Sequence, residues 1–157
     1  MIGSLSEETE VKVHVSKAWA VYGTLEVGKL VAGKVFKAVE VVEGDGGVGT
    51  ILKVTYKPDT TSAGLESKYF LEKFTKVDNE NKVKETEILK GGFLDIGFNY
   101  YRIKLKVDEN PKAETSRVKI TVEYEVKDEF VANASLVNGE PLIAVMSVAN
   151  EHLENFT

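Results

Sequence analysis

An α+β fold, a curved antiparallel sheet of seven strands around one long C-terminal helix, is predicted from three features of the sequence. Most of the 157 residues alternate apolar and polar side chains with period two, which puts alternate residues on opposite faces of a strand. The connections between these runs are too short to hold crossover helices, so neighbouring strands run antiparallel. Only the end of the chain has the period of an amphipathic helix. There Leu142, Val145, Met146, Ala149 and Leu153 recur every three to four residues behind Pro141.

The elements are expected in this order. Residues 10–15 alternate valine with polar residues and form a half-buried strand. Ser16 is expected to cap a helix over 17–25, and a second short helix is expected over 27–32 with Gly33 as its stop. Further strands are read at 36–43, 50–56, 69–77, 82–89, 99–107 and 117–126. Turn residues separate them at Pro58-Asp59, at 78–81, at Gly91-Gly92, and at 108–112 with its Asn-Pro step. The last helix starts at Pro141, with an earlier start near Asp128 left open. No repeat or linker divides the chain, so residues 1–157 are expected to form one domain, a size that buries roughly two-thirds of the unfolded surface.

Composition excludes several function classes. There is no cysteine, which removes disulfides, thiolate metal sites and cysteine nucleophiles. The two histidines, His14 and His152, have no metal-ligand spacing, and neither a metal nor a cofactor is expected. A net charge of −5 with interspersed signs gives no basic stripe, so nucleic acid is not an expected partner. The first residues lack the pattern of a secretory signal, and the apolar runs read as too short to span a bilayer. A cytoplasmic protein without membrane contact is therefore expected, its oligomeric state open.

The run from Gly44 to Gly49, GDGGVG, satisfies the spacing of a dinucleotide-binding loop. That loop must open a helix, whereas the residues after it read as a strand. A strand-connecting loop is the expectation.

The same run, as EGDGGVGT, together with Lys90-Gly91-Gly92 and Tyr100-Tyr101, resembles the plant birch-pollen-allergen superfamily of class-ten pathogenesis-related proteins. The order of elements is also that superfamily's order, so the resemblance spans nearly the whole chain and implies its helix-grip fold. Within it, Lys73-Phe74, Val77-Asp78-Asn79-Glu80, GGFLDIG at 91–97, Glu123-Tyr124-Glu125-Val126 and Ala132-Asn133-Ala134-Ser135 are similar to norcoclaurine and norbelladine synthases. The resemblance implies condensation of an aromatic amine with an aromatic aldehyde through an imine, in alkaloid biosynthesis. It implies a glutamate at Glu72 and an acid–base lysine at Lys84. The synthases' substrate-positioning tyrosine falls on Phe70, and the aspartate near their entrance falls on Ile103.

The residues themselves allow the catalytic pair to be weighed. Glu72 alternates with Phe70 and Phe74, which turns it toward an apolar face where a carboxylate is uncommon. Lys84 shares a face with Thr86 and Ile88, so periodicity alone leaves inward and outward open, and most strand lysines are solvated. An enclosed ammonium would have its pKa drawn down toward neutrality, while a nearby carboxylate would oppose this. Phe70, Phe74, Ile103, Tyr101, Leu142 and Met146 are expected to border a pocket, with Tyr69 beside it although alternation turns its side chain away from Phe70. Tyr56, Phe93, Phe98 and Tyr100 are read as core. Three classes follow: a condensing enzyme using Lys84 and Glu72, a non-catalytic binder of a cytokinin or phenolic metabolite, and a defence protein without a defined ligand.

Overall fold

The computed structural model describes residues 1–58, 68–111 and 114–155. The turns read at Pro58-Asp59 and at Pro111-Lys112 run into positions outside these residues. The described chain folds as β1 (Ile2–Val11), α1 (Val15–Tyr22), α2 (Glu26–Val31), β2 (Ala38–Glu43), β3 (Ile51–Thr55), β4 (Tyr69–Asp78), β5 (Val83–Gly91), β6 (Phe98–Asn110), β7 (Thr115–Val126) and α3 (Glu140–Asn155). The seven strands make one antiparallel sheet, as the sequence predicts, and their order is β1-β7-β6-β5-β4-β3-β2. Register shifts in the β2–β3, β4–β5 and β6–β7 pairings insert unpaired residues that bend a sheet. One face carries the mixed charges, including Arg117 on Glu8 at 3.0 Å and Lys76 on Glu85 at 3.7 Å. Such exposed pairs contribute little stability.

The first strand is displaced from its expected place. β1 runs from Ile2 to Val11, and the alternation at Val11, Val13 and Val15 buries three valines while the backbone leaves the sheet and enters α1. Ser16 is not the cap. The His14 ring accepts the Ser16 N–H at 3.2 Å and contacts its hydroxyl at 3.0 Å, so a histidine does the work expected of serine. α2 ends at Val31, with Gly33 at φ 83° just beyond it.

The glycine loop is a connection between β2 and β3, not the mouth of a helix. Gly44, Gly46 and Gly49 all have positive φ, and a Cβ on Gly44 would lie 2.6 Å from the Thr50 Cα. The buried Thr50 hydroxyl accepts the Gly46 N–H at 2.8 Å. Gly49 and Thr50 exchange backbone bonds with Phe74 at 2.8 Å, which docks the loop on β4. Gly44→Val is therefore expected to destabilise the fold by about 2 kcal/mol or more in urea titration, from backbone strain and overlap together. Titration of the wild type with dinucleotides should give no saturable signal, and micromolar affinity lost in Gly46→Val would contradict this account of the loop.

Residues 128–155 reach, over 28 residues, the length and mean hydropathy of a membrane-crossing helix, longer than the apolar runs expected from sequence. The fold divides them. Asp128–Leu136 is a 3₁₀ segment interrupted at Phe130, and α3 starts separately at Glu140 behind Asn138, whose side chain accepts the Glu140 N–H at 2.9 Å. The earlier start near Asp128 is thus a distinct element. α3 lays Met146, Ala149 and Leu153 against β1, α1 and α2. Tyr22 ties this packing together by donating to Asn150 at 2.6 Å, and Asn150 donates to Thr9 at 3.2 Å.

Candidate active site

The inner face of the sheet carries three separate apolar clusters. The largest joins Val11, Trp19, Tyr22, Leu105 and Ile120 to α3, a second surrounds Phe98, Val122, Tyr124 and Val126, and a third holds Leu52, Val54 and Phe74. Polar side chains reach the interior where β4 and β5 lie side by side. β4 turns Phe70, Glu72 and Phe74 inward, and β5 turns Lys84, Thr86 and Ile88 inward. The register pairs Glu72 with Ile88, Phe74 with Thr86, and Val77 with Lys84, and shifts on both sides of the Glu72–Phe74 segment. Glu72, Thr86 and Lys84 therefore follow one another along one stretch of the inner face.

Lys84 is 7 % exposed, which resolves the choice periodicity left open. Its Nζ stands 4.8 Å from the centre of the Phe74 ring, itself almost completely buried, so the aromatic face replaces part of the ammonium's lost hydration. Glu72 is partly buried and accepts a hydrogen bond from the Thr86 hydroxyl at 3.0 Å. Among the described residues no ion pair within 4 Å joins Glu72 to Lys84. Burial draws the Lys84 ammonium down to about 8, against an opposing pull from Glu72. Burial also raises the Glu72 carboxyl, outweighing Lys84 and the Thr86 hydrogen bond, both of which lower it. Desolvation wins for both groups, and their affinities for a proton approach one another.

Around this pair the walls are aromatic. Tyr56, Phe70 and Phe36 pack as a trio with centroids 5.4 to 6.4 Å apart. Tyr101 stacks on Phe93 at 4.9 Å. Burial, with the Asp95 charge as a lesser cause, lifts the Tyr56 hydroxyl to about 12. Burial also raises Tyr101, helped by Tyr56, Glu72 and Tyr124, so both phenols stay protonated at neutral pH and can donate. Phe70, Tyr56, Tyr101, Ile103 and Leu142 belong to the interior yet are only partly buried, whereas Val122 and Phe74 beside them are sealed. These side chains are thus reachable from solvent, as those of a ligand site must be.

The structure brings Glu72, Lys84, Phe70, Phe74, Ile103 and Tyr101 to this region and Leu142 to its border, where it touches two clusters. Three expectations need correction. Met146 is 4 % exposed and lies in the main core, its carbonyl facing the Tyr22 hydroxyl, because its turn of α3 sits over α1. Tyr69 is not a wall residue: strand alternation turns it to the outer face, where Lys53 lies 4.6 Å from its ring. Tyr100 is likewise outside, under the Arg102 guanidinium at 4.1 Å. Thr86 is the site residue the sequence reading did not select. It shares a face with Lys84, but a threonine in a strand carries no signal of its own. An open hollow of about 400 Å³ lined by Ile2, Ser4, Tyr100, Thr121 and Glu123 lies on that outer face, away from Glu72 and Lys84.

A sheet folded over helices, with a desolvated carboxyl and lysine among partly exposed aromatics, has the polar–apolar mixture of a small-molecule site. The chain belongs to the pathogenesis-related protein Bet v 1 family, which residues 1–153 match. It is 43 % identical to norbelladine synthase of Narcissus pseudonarcissus over 98 % of this chain and 93 % of that protein. It is 36 % identical to S-norcoclaurine synthase of Thalictrum flavum subsp. glaucum over 90 % of this chain, and spans 66 % of that longer protein. The X-ray structure of norcoclaurine synthase from Thalictrum flavum in complex with dopamine and hydroxybenzaldehyde superposes with a TM-score of 0.83 at 31 % identity, covering 100 % of this chain and 89 % of that one.

Proposed function

We propose that this protein condenses a primary arylethylamine, such as tyramine or dopamine, with an aromatic aldehyde to form an imine in alkaloid biosynthesis. The observation that carries the reading is the interior pair: a lysine drawn to about 8 and a carboxylate raised by the same burial, in a setting of partly open aromatic side chains. The likeness to a norbelladine synthase over nearly the whole of both chains supports it.

The reaction needs two proton movements. The amine nitrogen adds to the carbonyl carbon and gives a carbinolamine. The Glu72 carboxylate takes the surplus N–H proton, and the Lys84 ammonium gives a proton to the departing hydroxyl. One water leaves, and the C=N bond remains. Phe70 and Ile103 stand where ring-closing relatives are expected to have a tyrosine and an aspartate. The glutamate that the resemblance gives the ring proton is kept at Glu72, but without the hydroxyl that would position the amine's ring the reading stops at the open imine.

Phe70 and Ile103 also support a second reading, a non-catalytic binder of a phenolic or cytokinin-like molecule. One experiment separates the two. Protein is mixed with tyramine and hydroxybenzaldehyde, and the imine is trapped by mild hydride reduction to the secondary amine and counted. A rate at least tenfold above buffer is expected, the low end for one positioned acid–base group. Saturable binding of both aromatics at the buffer rate would refute the enzyme and leave the binder.

A further inference from the structure

We propose that Thr86 is a positioning residue for this site, holding the Glu72 carboxylate in place and apart from the Lys84 ammonium. The inference deepens the proposed condensation and rests on that reading only for its kinetic consequence.

Thr86 is 4 % exposed, and its hydroxyl donates to Glu72 Oε2 at 3.0 Å. The register makes this geometry a property of the sheet. Glu72 lies opposite Ile88, and Thr86 is the next inward residue on β5, so its hydroxyl meets the carboxylate across a diagonal. The following inward residue is Lys84. Threonine therefore stands between acid and base. A β-branched side chain held on both flanks by Phe74 on β4 and Ile103 on β6 has little freedom to turn its hydroxyl elsewhere.

Without that donor, the carboxylate would have two outcomes open to it. It could take up a proton, being desolvated, or swing toward Lys84 and close an ion pair. Either removes the base, and the second also holds the ammonium charged. The groups facing the carboxylate are Lys84 from β5 and the Tyr101 phenol from β6, with Tyr56 and Tyr124 acting on Tyr101. None of these bonds the carboxylate; among the hydrogen bonds of the described residues, that from Thr86 alone reaches it.

The test compares wild type with Thr86→Val, which keeps the branched shape and β preference but loses the donor. The Glu72 carboxyl carbon, labelled with ¹³C, is titrated by NMR. Thr86→Val should shift its midpoint by about one pH unit, the scale of one hydrogen bond to a charged group, upward where the carboxylate takes up a proton and downward where it closes on Lys84. The acid limb of turnover should move with it, with kcat down by about tenfold and the aldehyde KM within about twofold. Thr86→Ser should restore both. Thr86→Ala, a smaller side chain without a hydroxyl, gives the same readout if the valine variant does not fold. An unchanged Glu72 midpoint in either variant overturns the proposal. The titration does not depend on turnover, so a wild type that never exceeds the buffer rate refutes the proposed reaction and leaves the role of Thr86 to be decided by the midpoint.

Discussion

Lys84→Met is expected to lower imine formation by roughly 10²-fold or more while changing affinity for a neutral aromatic by less than about tenfold. The asymmetry follows from what Lys84 touches. Its Nζ rests over Phe74, it lies opposite Val77 on β4, and methionine can fill the bulk of the lysine stem. Hydrophobic enclosure is then retained, and proton donation is lost. The wild-type profile, corrected for ionisation of the substrate amine, should fall above about 8 as the Lys84 ammonium is lost, and fall again on the acid side as Glu72 is protonated. Lys84→Met should lose the alkaline limb and keep the acid one. Full activity in Lys84→Met would remove Lys84 from the mechanism and leave proximity within the site as the source of any acceleration.

What was legible in the sequence divides along physical lines. Six of the seven strands lie where period-two alternation puts them, because alternate residues pack on the interior, least of all in β2, whose Val41 and Val42 are exposed. β1 differs because its less exposed positions are Gly3, Leu5, Glu7 and Thr9, which give no run of alternating apolar residues, and pairing with β7 holds the strand in place. The cap at His14 was hidden because imidazole is seldom an N-cap, and local chemistry chose it over Ser16. Glu72 could be read as inward from its aromatic neighbours, but Lys84 could not, since Lys84 and Glu85 are equally polar and only burial separates them. The contest between desolvation and the carboxylate depends on distance and on Thr86, neither of which a linear pattern encodes. Met146 failed for a related reason: helical period selects the inward face of α3, but not which part of the interior that turn of helix reaches.

The same burial that would prepare Lys84 for the proposed chemistry should make it a liability for stability. Its proton affinity falls from the ordinary 10.5 to about 8 on folding, so between those values the unfolded chain holds more protons than the folded one. Stability must therefore rise as pH is raised across that window, and the full penalty is present below it. The gap corresponds to about 3 kcal/mol. Lys84→Met removes that penalty but leaves Glu72 without its opposing charge, which returns part of the gain. At pH 7 the variant should be about 1–3 kcal/mol more stable than wild type, seen as a rise of several degrees in Tm. By pH 10.5 wild-type Lys84 is already neutral in the folded state, and the difference between the two proteins should shrink. Glu72 works with the opposite sign in a separate range: its raised carboxyl favours the folded state when protonated, so stability should decline as pH rises from about 4.5 and that group ionises. Urea unfolding of both proteins at pH 7 and pH 10.5 reads these effects directly. An equal difference at the two pH values, or a variant less stable than wild type at pH 7, would mean that Lys84 is not desolvated as its burial requires. The expected pattern, a more stable protein that has lost its chemistry, would identify Lys84 as a residue whose place in the interior is explained by function and not by packing.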